Sequence, residues 1–279
     1  MAPHIPQHPV TDPRPLQISI QALLLFAGWC WSAIPVAAMV ALAFLAVPLL
    51  TQWLLTRAYR LPRFDPRSAL ITGLSLCLLL RTHNLWLAGL AGSLAIAGKF
   101  LIRVRGKHVF NPSNLAVVVL SLLAPGVWVS PGQWGGSLWF AGLAGFLGSL
   151  AVGRSERFDI VLAFLAVYVG GLFGRALWLG DPLAIPLHQV QSGTLLVFAF
   201  LMLSDPKATP DARAGRVVFA AAVAALALYL RFHWFVTAGP IYALAALSPL
   251  VPLIDRLLPA ARFQWAAGSS FPIPTKAHP

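Results

Sequence analysis

The chain has 279 residues and a mass of 30.0 kDa; 58% of its residues are hydrophobic, 10% are charged, and the mean hydropathy is +0.78. Eight acidic against twenty basic side chains cannot clothe a water-exposed surface of ordinary composition, and the uncharged runs outlast any core helix of a globular domain. A soluble fold is excluded, and an all-α polytopic membrane protein is expected. The net charge of +12 would suit nucleic acid, but the charges sit in short clusters between apolar runs. The expected partner is therefore the lipid bilayer and not nucleic acid.

Residues Met1 to Pro15 carry five prolines and no apolar h-region, which reads as a disordered cytoplasmic tail and not as a signal peptide. Residues 16–255 form a single transmembrane domain, and 256–279 a second cytoplasmic tail. Breaks at charges and at Pro or Gly clusters predict ten helices: 16–31, 33–56, 68–80, 85–99, 109–124, 137–153, 159–179, 189–203, 216–230 and 234–254. The first two share one uncharged stretch, so a hairpin near Trp31 to Pro35 is required. With the N-terminus inside, seventeen basic residues fall on the cytoplasmic side, and only Arg81, Arg175 and Arg231 fall outside. A wrong span count would scramble so lopsided a ratio.

Five helices per half would invert the second half relative to the first. Ser68 to Leu80 is an apolar run closed by Arg81 to Asn84, and Ser192 to Ser204 is one of equal length closed by Asp205-Pro206; as helices three and eight they occupy corresponding places in two inverted five-helix repeats. The runs near 68–80 and 85–98 are shorter than a bilayer crossing needs. They either stop inside the protein beside a cavity or end at a thinned interface. Gly89, Ser93 and Ala97, and Ala141, Gly145, Ser149 and Gly153, recur at fourfold spacing and read as packing faces. Cys30 and Cys77 lie in apolar runs without CxxC or Cys/His spacing and read as small hydrophobes. No metal-ligand cluster, nucleophile with adjacent base or phosphate-binding Gly loop is present, which argues against an independent hydrolase or kinase.

Two segments carry polar chemistry. Gly106 to Asn114 joins a basic loop to helix five; Asn111 before Pro112 reads as an N-cap, and Lys107 and His108 beside a helix start would suit an anion. Leu201 to Pro210 ends helix eight at Asp205, a carboxylate placed to receive hydrogen bonds from a broken helix, to pair with Lys207 or Arg216, or to hold a cation. Pairing is the simplest account. Lys107, His108, Asn111, Asp205 and Thr209 are the candidate cofactor-binding residues, with no metal ligands among them.

Phe110-Asn111-Pro112-Ser113, Phe200 to Pro210, Gly215-Arg216 and Pro252-Leu253-Ile254-Asp255 resemble, in order, the FNP, FMATDP-x-T-x-P, GR and PLID motifs of the RnfD/NqrB family. The resemblance runs from about Ser68 to Asp255. It implies a membrane subunit of a flavin-containing, ion-translocating oxidoreductase complex, with other membrane subunits as partners. Asp12-Pro13-Arg14 and Ser130 to Trp134 further resemble a shorter branch that includes membrane proteins of enediyne biosynthesis. Redox members of the family attach FMN to the Thr of an SGAT-type motif. Here the nearest string is Ser192-Gly193-Thr194, which lacks the Ala and falls within helix eight. The resemblance therefore implies no ester-linked FMN, and electron transfer would need a noncovalent flavin, a quinone or a partner's cofactor. A small-solute channel or carrier, suggested by the inverted repeat, and an accessory membrane protein of a biosynthetic pathway are the alternatives.

Overall fold

A computed structural model describes residues 12–31, 36–129 and 138–263. The N-terminal tail to residue 11, the turn at 32–35, the segment 130–137 and the C-terminal residues from 264 lie outside it. The chain forms α1 (Arg14–Trp31), α2 (Ala38–Ala58), α3 (Arg67–Leu79), α4 (Leu85–Leu101), α5 (Pro112–Leu123), α6 (Leu138–Ser155) and α7 (Phe158–Leu179). Next come α8 (Ala184–Val190), α9 (Gly193–Val197) running into a π-helical turn at Phe198–Met202, α10 (Arg213–His233), α11 (Gly239–Leu247) and α12 (Val251–Leu257). Among the described residues there are also four very short strands, β1 (Leu80–Thr82), β2 (Arg103–Val104), β3 (Lys107–His108) and β4 (Val127–Val129).

Among the described residues, four stretches are long and apolar enough to cross a membrane: Ala38–Ala58, Phe158–Leu179, Arg213–His233 and Gly239–Leu257. The predicted eighth helix is not one rod. It is α8 and α9, bent by 49° at the polar residues before Gly193, and Ser192 takes an extended conformation there. Large apolar side chains such as Met39, Leu42, Phe146 and Leu162 lie more than half exposed along the helix flanks. In water that exposure is unfavourable; against lipid it is the ordinary state of a membrane helix.

Of the short helices, α3 ends inside the protein. The 13 residues of α3 reach about 20 Å at 1.5 Å per residue, and the chain from Leu76 to Thr82 is buried throughout. Beyond α3 the backbone continues as β1, which pairs antiparallel with β4, the strand after α5 (Leu80 with Val129, Thr82 with Val127). Pairing two exits satisfies backbone groups that lipid cannot. Arg81, 2% exposed, adds to this by donating to the carbonyls of Cys77, Leu78 and Leu80 at 2.7, 3.1 and 2.8 Å, where the helix dipole favours a cation.

Small residues do bring the helices together, but the close row is displaced from the predicted one. On α4 the buried row is Ala88, Ala91, Gly92 and Ala95, and a Cβ at Gly92 would stand 2.8 Å from Cδ of Pro48 in α2. On α6 Gly148 plays this part, with a Cβ there falling 2.6 Å from Cβ of Phe200. Gly89 has looser surroundings, its nearest neighbour being Val47 at 3.8 Å. Helices α5 and α11 touch at their first turns, where Nδ2 of Asn114 donates to the carbonyl of Ile241 at 2.9 Å.

Because the proline ring cannot yield, Gly92→Val should lower the stability of the detergent-solubilised protein by about 1–3 kcal/mol, while Gly89→Ala leaves it unchanged. Thermal unfolding of the two variants checks this; equal midpoints would show that α2 and α4 do not pack through Gly92.

Candidate functional site

A cavity of about 510 Å³ opens where α3, α4, α5, α6 and the π turn after α9 come together. Two local devices deliver its polar residues. The first is the β2–β3 hairpin, in which Val104 pairs with Lys107 and Arg103 with His108. Its two turn residues, Arg105 and Gly106, both have positive φ, at 51° and 80°, the geometry that matches the twist of paired strands. The hairpin carries Lys107 and His108 back toward α5. The second device is the π turn. The N–H of Leu203 donates to the carbonyl of Phe198 at 2.8 Å, and this extra residue per turn ends the helix at Ser204-Asp205. Such bulges recur at functional sites because they redirect the chain beyond them.

Asn111 caps α5 as expected. Its Oδ1 accepts from the N–H of Asn114 at 3.1 Å and from Oγ of Ser113 at 2.8 Å, with Pro112 at the first helical position. Its remaining donor faces the second motif segment: Nδ2 donates to Oδ2 of Asp205 at 3.1 Å. The other oxygen of Asp205 accepts from the N–H of Lys207 at 2.9 Å. Nε2 of His108 stands 3.7 Å from the Asp205 carboxylate, close enough to pair with it when protonated but too far for a hydrogen bond, and makes no hydrogen bond among the described residues. Lys107, His108, Asn111 and Asp205 all line the cavity. Thr209 does not: it is 1% exposed, and its hydroxyl donates to the carbonyl of Asp205 at 2.7 Å, bracing the loop from behind.

That loop is held by three cations acting on three successive carbonyls. Lys107 donates to the carbonyl of Thr209 at 2.5 Å, Arg157 to that of Pro210 at 3.0 Å and Arg216 to that of Asp211 at 2.6 Å. Lys107 also pairs with Asp211 and Asp255 at 3.1 and 2.9 Å, and Asp255 accepts the N–H of Asp211 at 2.8 Å. Arg216 pairs with Asp159 at 2.6 Å; of the two pairing partners considered for Asp205, Lys207 and Arg216, this one turns elsewhere. The GR and PLID segments thus act as a clamp on the loop that presents Asp205.

Sequence reading missed a matching clamp on the other wall. Asp12-Pro13-Arg14 and Asp65-Pro66-Arg67 are the same tripeptide at the starts of α1 and α3. Each Asp accepts the N–H of its own Arg, at 3.0 and 3.1 Å. Each also receives the other's guanidinium, Arg14 to Asp65 at 2.6 Å and Arg67 to Asp12 at 2.7 Å. Arg14 reaches the cavity, as do Ser75, Lys99 and Arg103. The repeated tripeptide was a signal for this pairing; Lys99 and Arg103 carried none beyond their side of the membrane.

A smaller cavity of about 270 Å³ lies at the opposite end of α9, lined by Ser192, Thr194, Tyr168 and Arg231 among others. Ser192 precedes α9 and Thr194 lies in its first turn, so the string sits at the start of a helix, not in its middle. Among the described residues no group of three His, Cys, Asp or Glu side chains is placed to hold a metal ion.

Burial holds His108 below its ordinary value; Asp205 acts in the opposite sense, and Lys99 and Arg103 reinforce the shift. Burial would raise Asp205, but His108 and Lys207 together hold it below the usual carboxylate range. A neutral imidazole beside a carboxylate follows at neutral pH. An unfolded chain takes up a proton at His108 near pH ~6.5 and the folded site does not, so its contribution to stability is lost as pH falls below that value. The contribution of Asp205 is lost only further down, below ~3.9. The thermal midpoint should therefore drop between about pH 7 and pH 5, and His108→Gln should flatten the drop; a wild-type midpoint constant over that interval would contradict it.

Residues 128–264 match the NQR2, RnfD, RnfE family model. That span holds the Phe200 to Pro210, Gly215-Arg216 and Pro252 to Asp255 segments, while Phe110 to Ser113 lies before it, so the match is shorter than the resemblance expected from Ser68. The chain is 28% identical over 261 residues to the D subunit of the ion-translocating oxidoreductase complex of Stutzerimonas stutzeri, covering 68% of this chain and 73% of that protein. It is 29% identical over 158 residues to the protein of the same name from Escherichia coli O139:H28 (strain E24377A / ETEC), covering 56% of this chain and 42% of the relative. The alignment thus takes in about three quarters of the first relative's length and under half of the second's. Over these residues the chain is similar to the RnfD/NqrB-type family of membrane proteins.

Proposed function

We propose that this chain is an integral membrane subunit of an ion-translocating oxidoreductase complex, and that it holds a noncovalent flavin in the cavity between Asn111 and Asp205. The observation that carries the reading is the convergence of the two motif segments on one cavity, where the buried Nε2 of His108 makes no hydrogen bond among the described residues. The cavity volume, about 510 Å³, falls in the range of small-molecule sites. Its wall joins apolar side chains, Ile71, Phe200 and Leu201, to a short row of groups able to meet the hydrogen-bonding edge of an isoalloxazine ring. His108, Asn111 and Asp205 would hold that edge, and the bound group would supply the electron-carrying chemistry.

In this reading the chain crosses the bilayer ten times, with residues 16–255 as one domain and both termini cytoplasmic. The packing of the helices supports an inverted repeat of five and five. Helix α2 packs on α4 as α7 packs on α10, α4 on α5 as α10 on α11, and α1 on α3 as α6 on α9. Helices α5 and α11 each open with a proline in the first turn, Pro112 and Pro240. The carrier reading draws on a different observation: a second cavity beside the start of α9, lined by Ser192, Thr194, Tyr168 and Arg231 among others.

Protein purified from native membranes should show a flavin spectrum near one equivalent per chain, with the flavin released by denaturation. Asp205→Asn and Asn111→Ala should lower the occupancy at least about tenfold, the effect of losing a charge-assisted hydrogen bond. Colourless protein that moves solute in liposomes would favour the carrier instead.

A further inference from the structure

Arginines without counter-charges gather at one end of the α2–α4 pair. Helix α2, long and apolar enough to cross a membrane, ends at Ala58; Arg57 stands in its last turn, and Arg60 and Arg63 follow it. The end of α4 lies beside this segment, because the ring of Phe100 packs against that of Tyr59 with centroids 5.8 Å apart. Arg103 lies over the Phe100 ring at 5.6 Å, and Arg57 over that of Trp53 at 5.7 Å. All four arginines are exposed. Among the described residues none of them has a carboxylate within ion-pairing distance. Asp65, the acidic residue nearest to them in the chain, is engaged by Arg14 at 2.6 Å.

Arg60 is held there against local preference. Its φ is 50°, in the left-handed region where glycine is the usual residue after a helix. The N–H groups of Tyr59 and Leu61 already close the helix end on the carbonyls of Leu55 and Thr56, at 2.9 Å each. A glycine at position 60 would serve the backbone as well, so the guanidinium is what the arginine adds. Between the cations the surface is apolar: Trp53, Leu54, Tyr59 and Leu101 are exposed, and the exposed side continues along α2 through Leu50 and Leu42. An acidic protein surface would match the arginines alone. A phospholipid matches both features, with its phosphate for the guanidiniums and its acyl chains for the apolar flank.

We propose that the adjoining ends of α2 and α4 form a binding site for an anionic phospholipid, with its phosphate held by Arg57, Arg60 and Arg103 and its acyl chains laid along the exposed apolar side of α2. Guanidinium groups keep their charge and meet phosphate oxygens in pairs, and Trp and Tyr gather at the level of lipid headgroups. Phosphatidylcholine carries the same phosphate but adds a cation that three arginines repel. The site therefore prefers phosphatidylglycerol. Arg103 also lines the larger cavity, so the headgroup lies at that cavity's edge, whatever the cavity holds.

The full-length protein in neutral detergent is equilibrated with equal amounts of phosphatidylglycerol and phosphatidylcholine of the same acyl chains, and the retained lipid is counted by native mass spectrometry. Wild type should retain phosphatidylglycerol by at least about fivefold over phosphatidylcholine, and Arg57→Gln/Arg60→Gly/Arg103→Gln should bring the ratio to within about twofold. Arg60→Gly alone should lower the ratio without lowering the lipid-free thermal midpoint, because glycine suits the left-handed turn; a merely structural role would move the midpoint and not the ratio. Arg256→Gln, which removes an exposed arginine from α12, should keep the wild-type ratio. Equal retention of the two lipids by wild type would overturn the site. An equal loss of preference in Arg256→Gln and Arg60→Gly would overturn it too, since bulk charge would then suffice. Displacement of phosphatidylglycerol by inorganic phosphate, but not by sodium chloride of the same ionic strength, would assign the arginines to a free anion and overturn the lipid.

Discussion

The constraint beneath this structure is that a helix ending inside a bilayer must satisfy its terminal N–H and C=O groups from within the protein. Helix α3 stops well short of a full crossing, and Arg81 and the β1–β4 pair take up the groups it leaves open. Helix α5 starts late and needs Asn111 as its cap. The π turn ends at Ser204, whose hydroxyl donates back to the carbonyl of Phe200 at 2.5 Å. Each of these repairs brings a polar side chain, Arg81, Asn111 or Ser204, into the buried interior of the protein. The cavity lies where several repairs meet, and its polarity is a consequence of where the helices break.

Those repairs also fix one wall of the cavity relative to the other. Asn111 serves two elements at once, capping α5 through its oxygen and reaching Asp205 through its nitrogen. Asp205 can accept that bond only while its loop keeps its shape, and the shape is set by Lys107, Arg157 and Arg216 on three consecutive carbonyls. Both Lys107 and Arg216 are themselves anchored, on Asp211 and Asp255 and on Asp159. Charged side chains in the relatives' motif segments thus act mainly on backbone, leaving Asn111, Asp205 and His108 to face the cavity. On the opposite wall the reciprocal pairing of the two Asp-Pro-Arg tripeptides holds α1 against α3, and Gln21 continues it inward with a 2.8 Å bond to Ser75.

Much of this was legible in the sequence. The apolar runs locate the helices because lipid demands unbroken hydrophobicity, and Asn111 before Pro112 announces a cap because proline restricts the residue before it. The bend at Ser192 left little trace, since no proline stands at the break between Val190 and Gly193. The small-residue rows on α4 and α6 were placed out of register because spacing reveals a face without saying which neighbour it meets. Nothing local could show that Asn111 would meet Asp205, 94 residues away, or that Arg216 would turn to Asp159. Lys99 and Arg103 read only as markers of a membrane side; their convergence on the cavity is a product of helix packing.

The contact between Asn111 and Asp205 is the joint on which the site depends, and a double-mutant cycle tests it directly. Unfolding free energies would be measured for Asn111→Ala, Asp205→Asn and the double variant in one detergent system. A direct bond between partly buried groups predicts a coupling of about 0.5–3 kcal/mol, with the double variant losing less than the sum of the two single losses. Additive losses would mean that the two residues do not act on each other, and that the cavity is not organised by the meeting of their segments.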